Sequence, residues 1–178
     1  MAGHISVFIA CSLDGFIAGP DDDLSWLPEP DPAAGDDFGY AAFMAGTAAI
    51  VMGRNTYDVV AGFDGDWPYG DTPVFVVTSR PLDPKAPTVK AISGDPVDVV
   101  AAVQQEVGDG GIYVDGGSLI RSLLDAGLVD DLTVTVVPVI LGAGAPLFAG
   151  VVRRHALELV SSDAHDNGLV QLRYTVVA

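Results

Sequence analysis

Basic residues are scarce in this chain: 8 lysines and arginines stand against 24 aspartates and glutamates, and the net charge is −16. Proteins bind nucleic acids and anionic membranes mainly through Lys and Arg side chains that neutralise phosphates. The composition therefore argues against both as partners. A small phosphorylated cofactor remains compatible with it, because two or three well-placed arginines are enough to bind one.

Cysteine is rarer still, since Cys11 is the single one, and an internal disulfide is thereby excluded. It lies in an apolar run and is interpreted as a small core residue. Residues 1–8 lack a basic region and a cleavage pattern, which argues against secretion by that route. Residues 132–152 are uncharged and long enough to span a bilayer, but Pro138 and four other Pro or Gly residues favour a strand and a turn. We expect a soluble, cytoplasmic protein.

The length of 178 residues favours one domain over 1–178. Alternating apolar strands and amphipathic helices predict an α/β fold with a mainly parallel sheet, covered on both faces and antiparallel at its C-terminal edge. The predicted strands are 4–11, 48–52, 73–78, 88–92, 111–114 and 132–140, with a closing pair at 155–162 and 169–177. Helices are predicted from Asp36 or Asp37 to about Gly46, from Tyr57, over 96–107 and over 118–126, and residues 12–32 are predicted as a loop.

Polar and glycine residues follow three of these predicted strands. Ligands of open α/β sheets bind beyond the carboxyl ends of the strands, where helix N-termini favour phosphates. Arginine adds a bidentate anion contact, and two arginines suit a further monoester phosphate. The three groups are Gly53, Arg54, Asn55 and Thr56; Thr78, Ser79 and Arg80; and Asp115, Gly116, Gly117, Ser118 and Leu119.

Metal chemistry is not expected from this sequence. His4, His155 and His165 lie far apart along the chain, and none has a second ligand at metal-binding spacing. The run of aspartates at 21–23 lacks the twelve-residue pattern of a calcium-binding loop and is interpreted as a solvated loop.

Residues 5–19, 51–57, 77–80 and 113–119 resemble the corresponding blocks of dihydrofolate reductase. Residues 115–120, 123–131 and 138–148 are still more similar to the reductase domain of the bacterial riboflavin-biosynthesis deaminase-reductase, the RibD C-terminal domain. The block Ser-Leu-Asp-Gly-Phe-Ile-Ala-Gly at 12–19 and Leu-Ser-Trp at 24–26 fit the small stand-alone proteins built on that domain. The resemblance covers nearly the whole chain.

This resemblance implies an NADPH-dependent reductase with a dihydrofolate-reductase-like three-layer fold. By this analogy Arg54 and Arg80, with Ser79, hold the 2′-phosphate. Thr56 and the backbone of 117–119 hold the pyrophosphate, and Ala10 and Ile17 border the nicotinamide. A cis peptide would join Gly116 to Gly117. The protein would position a substrate so that a hydride passes from the nicotinamide to a C=N or C=O carbon.

Two aspartates are candidates for the critical carboxylate. By its distance from the Gly-Arg motif, Asp37 occupies the place of the pterin-binding carboxylate of dihydrofolate reductases, supported by Thr135. Asp36 or Asp37 could instead simply cap a helix. Asp115 occupies the place where riboflavin reductase domains commonly have a glutamate, and it could equally be a turn residue. The sequence leaves Asp37 and Asp115 both open.

The substrate side of the predicted pocket lacks cations, because residues 1–53 and 55–79 contain no Lys or Arg. We therefore expect a neutral or cationic substrate, such as a planar heterocycle, stacked near Phe8, Trp26, Tyr40 or Trp67. The alternatives are the 5-amino-6-(5-phosphoribosylamino)uracil reductase step of riboflavin synthesis, a dihydrofolate reductase side activity, and a non-catalytic NADPH-binding sensor or assembly subunit. Reductase domains of the family that this chain resembles pair through their sheet edges, so the apolar C-terminal strands predict a homodimer.

Overall fold

The computed structural model describes residues 3–28 and 37–177. The described residues form ten strands and four α-helices, and eight of the strands make up one central sheet. The strands are β1 (Ile5–Ser12), β2 (Phe16–Ala18), β3 (Thr47–Gly53), β4 (Val74–Val77), β5 (Val89–Ile92), β6 (Gly111–Asp115), β7 (Asp131–Val137), β8 (Ala145–Pro146), β9 (Ala156–Ala164) and β10 (Val170–Val177). The helices are α1 (Tyr40–Ala45), α2 (Arg54–Ala61), α3 (Pro96–Val107) and α4 (Gly117–Asp125).

The central sheet has eight strands in the order β5-β4-β3-β6-β1-β7-β10-β9. Neighbours from β5 to β7 are all parallel, whereas β10 runs antiparallel to both β7 and β9. The predicted parallel sheet with an antiparallel C-terminal edge is confirmed. All the parallel strands point their carboxyl ends to the same edge of the sheet, so the turns that follow them lie together.

Side chains of β3 alternate between two apolar clusters, as period-2 geometry requires. Ala49 and Val51 belong to a cluster that contains residues of α3 and α4, and Ile50 and Met52 belong to a second cluster with Tyr57 and aromatic side chains of the loop after α2. All four β3 side chains are fully buried. The sheet is therefore covered on both faces, and the three-layer α/β fold is confirmed.

The first helix begins later than the sequence predicts. Phe38 and Gly39 have φ angles of 57° and 80°, in the left-handed region, so the right-handed helix starts only at Tyr40. The Asp37 carboxylate accepts hydrogen bonds from the N–H groups of Gly39 (2.9 Å) and Ala41 (2.6 Å). Asp36 and the predicted loop end at 29–32 lie outside the described residues.

The segment predicted as one long loop contains a strand. β2 pairs antiparallel with β8, a contact between distant residues that local patterns do not reveal. Close by, the Asp14 carboxylate accepts hydrogen bonds from the N–H groups of Leu141 and Gly142, at 3.1 and 2.7 Å. These bonds fasten the segment after β1 to the turn after β7. The uncharged run 132–152 forms β7, this turn and β8, and no helix of the described residues is long and apolar enough to cross a membrane.

Candidate active site

Two strand-to-helix turns lie side by side at the carboxyl edge of the sheet. β3 and β6 are hydrogen-bonded neighbours, and their register places Met52 opposite Asp115. Helix α2 begins at Arg54, directly after β3, and α4 begins at Gly117, two residues after β6. The unpaired N–H groups of two helix N-termini therefore point to one region, which is an arrangement that favours phosphate.

Glycine is required where the two turns touch. Gly116 has a φ of +97°, and a Cβ atom there would collide with the Thr56 hydroxyl oxygen. A Cβ atom at Gly117 would lie 2.6 Å from the carbonyl oxygen of Pro146. The predicted cis peptide between Gly116 and Gly117 is wrong: the bond is trans, and the positive φ of Gly116 already supplies the change in chain direction.

A cleft of about 820 Å³ opens along these turns, within the range of small-molecule sites. It gathers residues from β1, β2, α2, β6 and α4. The predicted residues that line it are Phe8, Ala10, Ile17, Gly53, Arg54, Asn55, Thr56, Asp115, Gly116, Gly117, Ser118 and Leu119.

Several residues that line the cleft were not predicted from the sequence. Val59 and Val60 of α2, and Phe63 just after it, extend the wall that begins at Thr56, and Pro96 and Val99 of α3 line the cleft as well. Residues 56, 59 and 60 have the spacing of one helix face, so helical periodicity after Arg54 was the available signal for them. Tyr69, Tyr113 and Arg121 line the cleft as well, together with Asp22, Leu24 and Leu27 from the segment after β2.

Asp115 and nearby tyrosines form the acidic end of the cleft. Asp115 Oδ1 accepts a hydrogen bond from the Gly116 N–H at 2.7 Å, whereas the nearby Tyr113 hydroxyl donates to the Phe8 carbonyl oxygen at 3.0 Å. Burial raises the pKa of Asp115 to about 6, although the Gly116 N–H and the Tyr113 hydroxyl both act to lower it. Burial, followed by the negative charge of Asp115, raises the pKa of Tyr40, Tyr69 and Tyr113. These groups therefore keep their protons to higher pH than usual, and Asp115 is the one that titrates close to neutral pH.

Arg54, with Arg80 beside it, forms what we call the basic end of the cleft. Arg54 donates from Nε to Asp58 Oδ1 at 2.7 Å and from Nη1 to the carbonyl oxygen of Pro81 at 2.8 Å. Arg80 Nη2 lies 3.8 Å from the other oxygen of Asp58. The Thr78 hydroxyl accepts a hydrogen bond from the Arg80 N–H at 3.0 Å. Thr78, Ser79 and Arg80 do not line the cleft, but Asp58 connects Arg80 to Arg54, which does.

The remaining predicted site residues lie behind the cleft or away from it. Tyr40 packs edge-on against Phe8 with ring centroids 5.5 Å apart, and Trp67 packs against Tyr69 at 5.3 Å, so each supports a residue that lines the cleft. Asp37 is exposed at the start of α1. Thr135 is buried and its hydroxyl accepts a hydrogen bond from Gln171 Nε2 at 3.2 Å, and the Trp26 indole N–H donates to the Asp23 carbonyl oxygen at 3.0 Å.

Comparison with known proteins places this architecture in a family. The family model described as the RibD C-terminal domain matches residues 3–171. The chain belongs to the RibD C-terminal domain family. The uncharacterized protein YwjB of Bacillus subtilis is 32% identical over 169 residues, covering 94% of this chain and 95% of its own.

Solved structures agree with this family. A Shewanella sp. PV-4 crystal structure, described provisionally as a riboflavin biosynthesis protein, is 35% identical, has a TM-score of 0.89, and matches over 98% of this chain and 99% of its own. Dihydrofolate reductase of Enterococcus faecalis, solved with NADP(H), has a TM-score of 0.67 at 19% identity, over 100% of this chain and 99% of its own, and shows the fold alone. Membership in the RibD C-terminal domain family supports the assignment of this chain as an oxidoreductase.

Gly53 permits a direct test of whether phosphate approaches this RibD-type cleft from the N-terminus of α2. Its φ of −71° suits any residue, and a Cβ atom there would have no neighbour within 4 Å. We expect Gly53→Ala to change the free energy of unfolding by less than about 0.5 kcal/mol, yet to weaken binding of a phosphate-bearing nucleotide such as NADPH, measured by calorimetry.

Gly46→Ala is the matched control, because Gly46 is exposed, has a φ of −92° and does not line the cleft. It should leave both stability and nucleotide affinity unchanged. If Gly53→Ala and the wild type bind the nucleotide with equal affinity, the nucleotide phosphates do not pass close to Gly53.

Proposed function

We propose that this protein is an NADPH-dependent reductase that transfers a hydride to a C=N or C=O carbon of a small neutral or cationic substrate, such as a planar heterocycle. One observation carries the proposal: a single cleft is lined by Arg54 and the starts of two helices, and also by Asp115, Tyr69 and Tyr113. Arg54 and the helix N-termini suit the phosphates of a dinucleotide, and Asp115 suits a substrate group that must be protonated.

The residues at the basic end fit NADPH. The N–H groups that open α4 after Gly116 lie at the wall of the cleft, with Thr56 beside them, and suit a pyrophosphate. Arg54 and Arg80 would hold the 2′-phosphate, and the apolar wall of Val59, Val60 and Phe63 suits an adenine ring. Ala10 and Ile17, farther along the cleft, would border the nicotinamide. Bound there, NADPH supplies the hydride.

Asp115 is the proposed proton donor. Reduction of a C=N or C=O bond needs a hydride on carbon and a proton on nitrogen or oxygen. Because the pKa of Asp115 is raised, this carboxyl is protonated in a fraction of the molecules near neutral pH, and Asp115 lines the cleft. Asp37, the rival candidate, is exposed and bonded to the backbone of its own helix. This geometry favours Asp115 over Asp37 for the role.

The charge of the cleft supports a neutral or cationic substrate. Among the residues described as lining it, Arg54 and Arg121 are the basic ones, and Arg121 Nη1 already donates to the carbonyl oxygens of Pro146 and Leu147. Neither belongs to the group of Asp115 and its tyrosines. A phosphoribosylamino-uracil, or the glutamate tail of a folate, would need a cation at that end. The riboflavin-type step and a dihydrofolate reductase activity are therefore the less favoured alternatives.

Cofactor choice tests the basic end. We expect the wild type to bind NADPH more tightly than NADH, and the double variant Arg54→Ala/Arg80→Ala to lose that preference, because the 2′-phosphate loses both guanidinium partners. Isothermal titration calorimetry with both nucleotides measures this preference as the ratio of the two dissociation constants. Arg154→Ala is the charge-matched control for one arginine, because Arg154 is exposed and does not line the cleft.

If neither nucleotide binds the wild type, the reductase proposal fails. NADPH binding without oxidation across imines, enones and pterins would indicate a sensor or assembly subunit.

Asp115 predicts two pH dependences. In a reductase reaction the protonated carboxyl is the active form, so turnover should fall as pH rises through about 6. Asp115→Asn should remove that inflection and lower kcat by about 10²- to 10⁴-fold.

The stability prediction for Asp115 does not depend on a substrate. The folded-state pKa is raised, so the folded state holds its proton more tightly, and stability decreases as pH rises from about 4 to about 6. Asp115→Asn should therefore gain about 2 kcal/mol relative to the wild type between pH 4 and pH 7, by chemical denaturation. A pH-independent difference between the two proteins would contradict the raised pKa.

We further propose a homodimer formed through β9. This strand is the last of the sheet, and its apolar side chains Leu157, Leu159 and Val160 are 41%, 54% and 65% exposed. Exposed apolar edge strands tend to pair with a second chain. Light scattering should give twice the chain mass of 18.4 kDa. Leu159→Lys should reduce the measured mass to that of one chain. Leu13→Lys should not, because Leu13 is 66% exposed but lies away from the sheet edge. A wild-type mass near 18.4 kDa would refute the dimer.

A further inference from the structure

An acidic side chain lies between the two arginines assigned to the 2′-phosphate. Asp58 is on the surface of α2, one turn after Arg54, and each of its carboxylate oxygens faces a different guanidinium. Oδ1 lies 2.7 Å from Arg54 Nε, and Oδ2 lies 3.8 Å from Arg80 Nη2. A carboxylate bridging two guanidiniums is placed as a bound phosphate would be, with its oxygens shared between the same donors.

We propose that Asp58 is an internal anion that competes with the cofactor's 2′-phosphate for Arg54 and Arg80, and so lowers the selectivity of this site for NADPH over NADH. The inference rests on the proposed cofactor. It assigns a specificity-determining role to a residue outside the cleft lining. A 2′-phosphate can engage both arginines fully only if the Asp58 carboxylate moves away from them, whereas the 2′-hydroxyl of NADH makes no such demand.

The surroundings make this displacement feasible. The Asp58 side chain is 47% exposed, so its carboxylate can rotate into solvent and remain hydrated. Exposed ion pairs of this kind contribute little to stability. Arg54 is more buried, at 21% exposure, and its Nη1 is also held by the Pro81 carbonyl oxygen. Arg54 should therefore keep its position when Asp58 leaves or is neutralised.

The alternative role for Asp58 is to orient Arg54 for the phosphate. The two roles predict opposite effects of neutralisation. If Asp58 competes, Asp58→Asn removes a negative charge beside the incoming phosphate, and binding becomes tighter. If Asp58 orients, the same substitution weakens binding. The amide can still accept a hydrogen bond from Arg54 Nε, so Asp58→Asn changes the charge with little change in shape.

The experiment measures binding of 2′,5′-ADP and of 5′-AMP, which differ only in the 2′-phosphate, to the wild type, Asp58→Asn and Asp58→Glu. The ratio of the two affinities isolates the effect on the 2′-phosphate, and a control variant that removes a distant carboxylate measures the part that comes from net charge alone. We expect Asp58→Asn to raise the ratio in favour of 2′,5′-ADP by about fivefold or more, as removal of one charge about 4–6 Å from a phosphate in water predicts. Asp58→Glu restores the competing carboxylate and should return the ratio towards the wild-type value.

Asp109→Asn is the matched control for charge. It removes one exposed carboxylate just before β6, at the opposite edge of the sheet, and should leave the ratio unchanged. An unchanged or lower ratio in Asp58→Asn would overturn the inference, while NADPH binding by the wild type would leave the proposed reductase standing. Binding of neither NADPH nor 2′,5′-ADP by the wild type would overturn both.

Discussion

The site depends on the pairing of β3 with β6. Their register sets Met52 beside Asp115, so that two strands end at the same level and two helices begin next to each other. The contact is completed by Thr56, whose hydroxyl occupies the space that a side chain at position 116 would fill. A residue larger than glycine there would force α2 and β6 apart, and the shared region of free N–H groups would be lost.

That contact also fixes how the charges are distributed. Asp115 ends β6, and Arg54 begins the helix that follows β3, so an acidic and a basic group from two adjacent strand-to-helix turns line the same cleft. In a chain of net charge −16 the average field repels a dinucleotide. Affinity for phosphate must then come from short-range contacts, namely the helix N-termini and the two guanidiniums, which makes the effect of a single nearby carboxylate large.

The sequence predicted the fold well because strands with apolar runs and helices with caps are local signals. The bounds of α3, 96–107, follow from its Asp95 cap, Pro96 and apolar period. The glycine and arginine residues after β3 and β6 were found in the same way. Contacts between distant residues were missed, namely the β2–β8 pair and the grouping of Tyr40, Tyr69 and Tyr113 with Asp115. The apolar wall after Thr56 was missed too, although helical spacing was a local signal for it. Two candidate carboxylates could not be separated by spacing, since only packing shows that Asp37 is exposed and Asp115 is half-buried.

Asp58 and Asp115 thus affect ligands of the cleft through different physical interactions. Asp58 is hydrated and paired with guanidiniums, so its influence on a phosphate is Coulombic and is screened as salt concentration rises. Asp115 is governed by desolvation, which salt hardly changes, and its ionisation near pH 6 responds to protons instead. Salt should therefore alter cofactor selectivity and pH should alter proton transfer. Asp58 and Asp115 lie on separate elements, α2 and β6. A substitution of one aspartate should therefore leave the effect of the other unchanged.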